Sequence, residues 1–170
     1  MTKTCFIVAG PNGAGKTTFA ETYLPKEVGC FNFVNADHIA KGLSPLKPES
    51  SSIEAGRILF RKIDQFRKTS LTFSFETTLS GTGHVGRIKK LKEDGFRIVI
   101  YYLKLSSPEL AIARVRNRVL EGGHNIPEVD IRRRFERSWD NFTSLYRDLA
   151  DDWIVFDNSE DLTRIIEESQ

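Results

Sequence analysis

The octet GPNGAGKT at residues 10–17 sets Gly10, Gly15, Lys16 and Thr17 in the spacing G-x-x-x-x-G-K-[ST]. An apolar run at 5–9 precedes it and a helix-forming stretch follows, the strand–loop–helix context in which such a loop holds phosphates. Glycines let successive backbone N–H groups turn toward phosphate oxygens, and the dipole of the following helix adds to the attraction. The predicted nucleotide contacts are Gly10, Pro11, Asn12, Gly13, Ala14, Gly15, Lys16, Thr17 and Thr18. Lys16 should reach the β- and γ-phosphates and Thr17 should ligate Mg²⁺, so ATP and Mg²⁺ are the expected cofactors.

A phosphate loop serves GTPases, transport ATPases and small-molecule kinases alike, so other polar residues must decide the reaction. The stretch TLSGTGH at 78–84 is similar to the signature loop of ABC ATPases, but the next apolar run, RIVIYYLKL, ends without the carboxylates that loop requires. A GTPase-type base-recognition motif is also missing after the predicted strands. Two acids, Asp37 and Glu76, instead close the two predicted strands that follow the loop, where the carboxyl edge of a parallel sheet meets bound phosphates. One carboxylate could take the proton of an acceptor hydroxyl while the other, with Thr17, orients Mg²⁺ directly or through water. Either acid alone reads better as a helix cap or a solvated turn; the pair beside the loop favours phosphoryl transfer.

Arg114, Arg116, Arg118, Arg132, Arg133 and Arg134 flank the turn GGHNIP and predict a lid over about 114–134. Arg114 and Arg118 share a helical face, Arg116 points elsewhere and Arg133 is the most outward of the second group. Arg118 and Arg134 are read as catalytic, closing on the transferred phosphoryl, and Arg116 and Arg133 as solvated ion-pair partners. His38, His84 and His124 read as well as exposed turn residues as functional ones.

The elements that must position these groups alternate. Strands are expected at 5–9, 31–35, 71–75, 97–105 and 153–156. Helices are expected from Gly15 to about Tyr23 with Pro25 ending the first, then at 53–66, at 85–94 closed by Gly95, at 108–121, at 128–149, and over EDLTRIIEES at the end. The stretch GLSPLKPESSS reads as a loop. This alternation predicts a single P-loop kinase domain over 1–170, a three-layer α/β/α P-loop NTPase fold with a five-stranded, mainly parallel sheet and a helical lid. Lysine and arginine number 25 against 23 acids, which argues against a general nucleic-acid binder. Two cysteines, Cys5 and Cys30, suit reduced thiols, and the first nine residues are not patterned as a signal peptide; both point to a cytoplasmic protein without membrane contact.

Taken together, FIVAGPNGAGKTT, FVNADHIAKGLSP, FETTLSG, RVLEGGHNIPEVDIRRRF and WIVFDNS resemble the zeta-toxin-like P-loop kinases, in the small bacterial branch often labelled predicted ABC-type ATPase. The resemblance spans almost the whole chain. It implies the sheet order of nucleoside- and shikimate-kinase-like folds, and ATP-dependent phosphorylation of a sugar-nucleotide hydroxyl such as that of UDP-N-acetylglucosamine. It implies Asp37 as catalytic base, Lys16 and Thr17 at phosphate and magnesium, Glu76 with Thr77 in the substrate or metal site, and Arg118 and Arg134 as lid arginines. It also implies an antitoxin protein as partner. The residues by themselves leave two further readings open: an ATP-binding switch or NTPase module without small-molecule kinase activity, and a kinase of nucleic-acid ends.

Overall fold

The computed structural model describes residues 2–123, 125–160 and 162–169. Its centre is β1 (Thr4–Ala9), where every residue is buried, as expected of a strand covered on both faces. The two faces separate by alternation. Cys5, Ile7 and Ala9 enter one core, with Phe73 and Phe75 of β3 (Phe73–Thr77) and Ile98, Ile100 and Tyr102 of β4 (Arg97–Lys104). Phe6 and Val8 enter the other, with Val99, Tyr101 and Leu103.

Helices α3 (Ser52–Thr69) and α4 (Val85–Glu93) cover the first face through Leu59, Ile63, Ile88 and Leu91. Helices α1 (Lys16–Glu27) and α5 (Pro108–Leu120) cover the second through Ala20, Leu24, Ala111 and Val115. The result is the expected three-layer α/β/α arrangement. Among the described residues no helix is long and apolar enough to cross a membrane.

The sheet runs β2-β3-β1-β4-β5-β6, with β2 (Phe33–Val34) and β5 (Asp152–Asp157) joining the parallel set and β6 (Arg164–Glu168) at the edge. Because β1 pairs with β3 on one side and β4 on the other, its carboxyl end is the point where the chain's direction of winding reverses. Ligands of open α/β sheets bind in the crevice at that point.

Three expectations change. The terminal stretch EDLTRIIEES is not a helix: Arg164–Glu168 form β6, antiparallel to β5, so the sheet has six strands rather than five. The β-branched pair Ile165 and Ile166 favours extended backbone, and β5 offers an open edge to pair with. Pro25 does not end α1; it lies in the last turn, where a missing N–H costs one bond, and the turn closes by Val28 and Cys30 N–H groups on the Leu24 carbonyl. The long helix after Pro127 is regular only as α6 (Glu128–Asn141) and then loosens into a π turn, Phe142–Tyr146, and a 3₁₀ turn, Arg147–Leu149. There Thr143 and Ser144 hydroxyls bond back to the Trp139 and Asp140 carbonyls, while Tyr146 is buried and donates to Gly81 O at 2.6 Å. The predicted loop at 42–52 also holds a 3₁₀ turn, Pro48–Ser51.

Candidate functional site

The loop leaves β1 through Gly10, whose φ of 141° is closed to other residues and whose hypothetical Cβ would sit 2.3 Å from Leu103 O. At Gly13, φ 78°, a Cβ would meet Ala111 O at 2.8 Å. The loop is therefore pressed against β4 and α5 at two points where only glycine fits.

Lys16 opens α1 and is 6 % exposed. Burial lowers its ammonium pKa, while Glu76 and Asp37 oppose that shift. Its Nζ donates to Pro11 O at 2.8 Å and lies 3.8 Å from Glu76 Oε1. Register explains the second contact: Val8 pairs with Glu76 and Ala9 with Thr77, so β3 ends level with the start of the loop.

Glu76 is bound from two further sides. Thr17 donates its hydroxyl to Glu76 Oε2 at 2.7 Å, and Asn35 Nδ2 donates to the same oxygen at 2.8 Å and to Thr17 Oγ1 at 3.3 Å. Asn35 also caps α2 (Ala36–Leu43), its Oδ1 accepting the N–H groups of Asp37 at 2.7 Å and His38 at 3.1 Å. One buried amide thus ties the cap of α2 to the loop threonine and the β3 carboxylate. Sequence reasoning passed over Asn35; the signal was there, an Asn two residues before an Asp at a strand-to-helix junction.

Asp37 stands in the first turn of α2 rather than at a strand end, exposed, with its carboxylate at the favourable end of the helix dipole. It lines a cavity of about 660 Å³ together with Asn12, Gly13, Lys16, Glu76 and Thr77. Arg118 from α5 and Arg134 from α6 line the same cavity, and both are close enough to Lys16 to oppose its charge. Asn12 Oδ1 is buried there without a hydrogen-bond partner.

The remaining arginines go elsewhere. Arg114, expected in the lid, donates to Asn158 O at 2.7 Å and Ser159 O at 3.1 Å. Arg116 pairs with Glu128, Arg132 with Glu109 at 2.6 Å, and Arg133 with Asp130 at 2.5 Å, all at the surface. Asn158 was likewise missed: beyond β5, its Nδ2 donates to Ala14 O at 2.8 Å inside the phosphate loop. No spacing in the chain announces that contact.

His84 is packed rather than exposed, stacked on Phe75 with centroids 5.1 Å apart and meeting Phe60 edgewise at 5.5 Å. Burial, helped by Arg87, pushes its pKa down to about 4. His38 is exposed, 3.9 Å from Glu21, and His124 lies outside the described residues.

The His84 shift has a thermodynamic sign. A folded pKa below the ordinary 6.5 stabilises the fold fully above pH 6.5, and that stabilisation drains away as pH falls toward 4. Urea unfolding of wild type and His84→Gln should diverge in this window, the wild type losing up to about 3 kcal/mol more between pH 6.5 and 4. Parallel pH profiles would show that the imidazole is not held neutral.

Among the described residues no group of three His, Cys, Asp or Glu could hold a metal ion. Thr17 and Glu76 fit the habit of Mg²⁺, which uses one or two protein oxygens and completes its shell from phosphates and water.

The sequence model of the AAA domain family matches residues 6–137. A Haemophilus influenzae protein of uncharacterized role is 31% identical over 135 residues, covering 79% of this chain and 94% of that one. A chain of the PezAT chromosomal toxin–antitoxin system of Streptococcus pneumoniae superposes with a TM-score of 0.73 at 14% identity, over 98% of this chain and 72% of that one. AvrRxo1-ORF1:ORF2, solved with ATP, gives 0.78 at 19% identity over 98% of this chain. This chain spans only 58% of the matched chain's length. The fold is that of the zeta-toxin-like P-loop kinases.

Proposed function

Because the chain belongs to the AAA domain family matched over residues 6–137, we propose that it is an ATP- and Mg²⁺-dependent phosphotransferase acting on a hydroxyl of a small acceptor. The observation that carries this reading is one cavity lined by Lys16, Asp37, Glu76, Arg118 and Arg134. Glu76 is engaged by Thr17, Asn35 and Lys16, which leaves Asp37 as the open carboxylate and the catalytic base. Asp37 takes the proton as the acceptor oxygen bonds the γ-phosphorus. The bond from that phosphorus to the β,γ-bridging oxygen breaks, and its electron pair leaves with ADP.

Lys16 exchanges the Pro11 carbonyl for the β- and γ-phosphates, and the loop amides from Gly13 onward face them. Thr17 would hold Mg²⁺, with Glu76 or Asp37 acting through water, and the ion would neutralise phosphate charge. Arg118 and Arg134 stabilise the charge spreading over the transferred group, α5 and α6 serving as a lid over about 114–134 of a single domain spanning 1–170. Thr77 lines the acceptor side.

The family resemblance puts UDP-N-acetylglucosamine or another sugar nucleotide forward as acceptor, and toxin–antitoxin systems among the similar folds support an antitoxin protein as partner. The free, buried thiols of Cys5 and Cys30 suit the cytoplasm.

Incubating the protein with γ-labelled ATP, Mg²⁺ and a metabolite extract tests the reading. The expected result is label in a small phosphorylated product. Label recovered only as inorganic phosphate would favour a nucleotide switch, and label on a control oligonucleotide a nucleic-acid-end kinase; either outcome would overturn the proposal.

A further inference from the structure

The end of β3 and the loop after it place two hydroxyls, those of Thr77 and Thr78, on the cavity wall. That loop is held from outside. Asn141, the last residue of α6, donates its Nδ2 to Leu79 O at 2.7 Å, and Tyr146 donates to Gly81 O at 2.6 Å. At 3.6 residues per turn, residues five apart point about 140° from each other, so a regular helix would aim these two side chains at different neighbours. The π turn that follows Asn141, with its i→i+5 bonding, widens the step and brings both to one loop.

Among the described residues other than glycine, only Ser70 and Leu79 have positive φ. Ser70 closes α3, whereas Leu79, at φ 53°, caps no helix. A residue with a Cβ disfavours this backbone, and three contacts hold it there. The Leu79 side chain is buried in the core that also takes Phe142 and Tyr146, its N–H donates to Thr77 Oγ1 at 3.1 Å, and its carbonyl accepts from Asn141. Because Thr77 Oγ1 accepts that N–H, the hydroxyl's own proton is left to turn into the cavity and donate to a ligand oxygen. Thr78 is fixed as well, sharing a 2.8 Å bond with the Ser80 hydroxyl.

Asn141 stands two turns after Arg134 on the same face of α6, roughly 10 Å along the helix. Ser138, between them, is fully buried and shares a 2.8 Å bond with the Tyr102 hydroxyl of β4. One helix thus carries both an arginine of the cavity and the amide that holds the cavity's hydroxyl wall. We propose that Asn141, with Tyr146 as a second anchor, is a positioning residue for the acceptor. Through Leu79 it sets the Thr77 and Thr78 hydroxyls, and it holds them most firmly when bound nucleotide draws Arg134 inward, so the acceptor wall is completed after ATP is in place. This rests on the phosphotransferase reading and adds to it how the donor and acceptor halves communicate.

Amide hydrogen exchange of the whole protein, with and without Mg²⁺ and a non-hydrolysable ATP analogue, tests this without an identified acceptor. In the wild type, amides 79–83 are expected to exchange at least about fivefold more slowly once the analogue is bound. In Asn141→Ala that ratio should fall to about one, while analogue affinity by calorimetry stays within about twofold of wild type. Tyr146→Phe, which deletes only a hydroxyl, should lower the ratio in the same direction and carries the test should Asn141→Ala fail to fold. A tie that merely supports the loop would speed exchange in the variants equally with and without the analogue. That unchanged ratio, or no slowing in the wild type with the analogue bound, would overturn the inference and leave the phosphotransferase reading intact. Failure to bind the analogue at all would sink that reading and the inference with it.

Discussion

Asp37→Asn is expected to lower phosphate transfer from γ-labelled ATP by about a thousandfold while changing ATP affinity less than about twofold. The substitution keeps the side chain's size, and the cap on α2 survives because Asn35 Oδ1 accepts the backbone N–H of residue 37, not its side chain. What disappears is the carboxylate that the proposal makes the receiver of the acceptor's proton. Calorimetry with a non-hydrolysable analogue measures the retained affinity, and label transfer measures the lost rate. Turnover near wild type would remove Asp37 from the chemistry. Equal loss of binding and transfer would show that the carboxylate serves the nucleotide instead.

Arg118→Ala and Arg134→Ala form the second large effect. Each is expected to reduce kcat by about a thousandfold, the range seen when a cation that stabilises a transferring phosphoryl is removed. The contrast lies within the same helices: Arg116→Ala and Arg133→Ala should leave kcat within about twofold, because those residues pair with Glu128 and Asp130 at the surface, where ion pairs contribute little. Rate loss shared equally by all four would mean the arginines hold the two helices together rather than act on phosphate. KM for ATP should move far less than kcat for Arg118 and Arg134, since the charge they meet develops in the transition state.

The strand–loop–helix shape around residues 10–17 was legible because its chemistry is local. Gly10 to Thr17 carry their own geometry in their spacing, and the run before them could only be a buried strand. Asp37 and Glu76 were legible as neighbours through topology, since parallel strands deliver their carboxyl ends to one edge, although Asp37 lies past β2 in the first turn of α2. Choosing between them was not, because the choice depends on Asn35, whose amide draws Glu76 into the loop and leaves Asp37 open. The separate contact of Arg114 was hidden for a similar reason. On the helix that residue is indistinguishable from Arg118, four residues on; only the carbonyls of Asn158 and Ser159, contributed by a distant turn, separate them.

β6 failed for a different reason. Two adjacent isoleucines among charged residues satisfy a helical stripe and a strand about equally, and what decided was the unpaired edge of β5, a feature of the assembled sheet. Pro25 shows the converse, a breaker tolerated in the last turn of a helix at the cost of one backbone bond.

The bond from Asn158 to the Ala14 carbonyl spans 144 residues of chain. The loop is thus braced by a residue far along the chain, whose own backbone Arg114 holds through the Asn158 carbonyl. A chain without β5 and the turn after it would carry the loop's sequence without this brace on the Ala14 carbonyl. The loop's shape is therefore a property of the assembled sheet as well as of its own glycines.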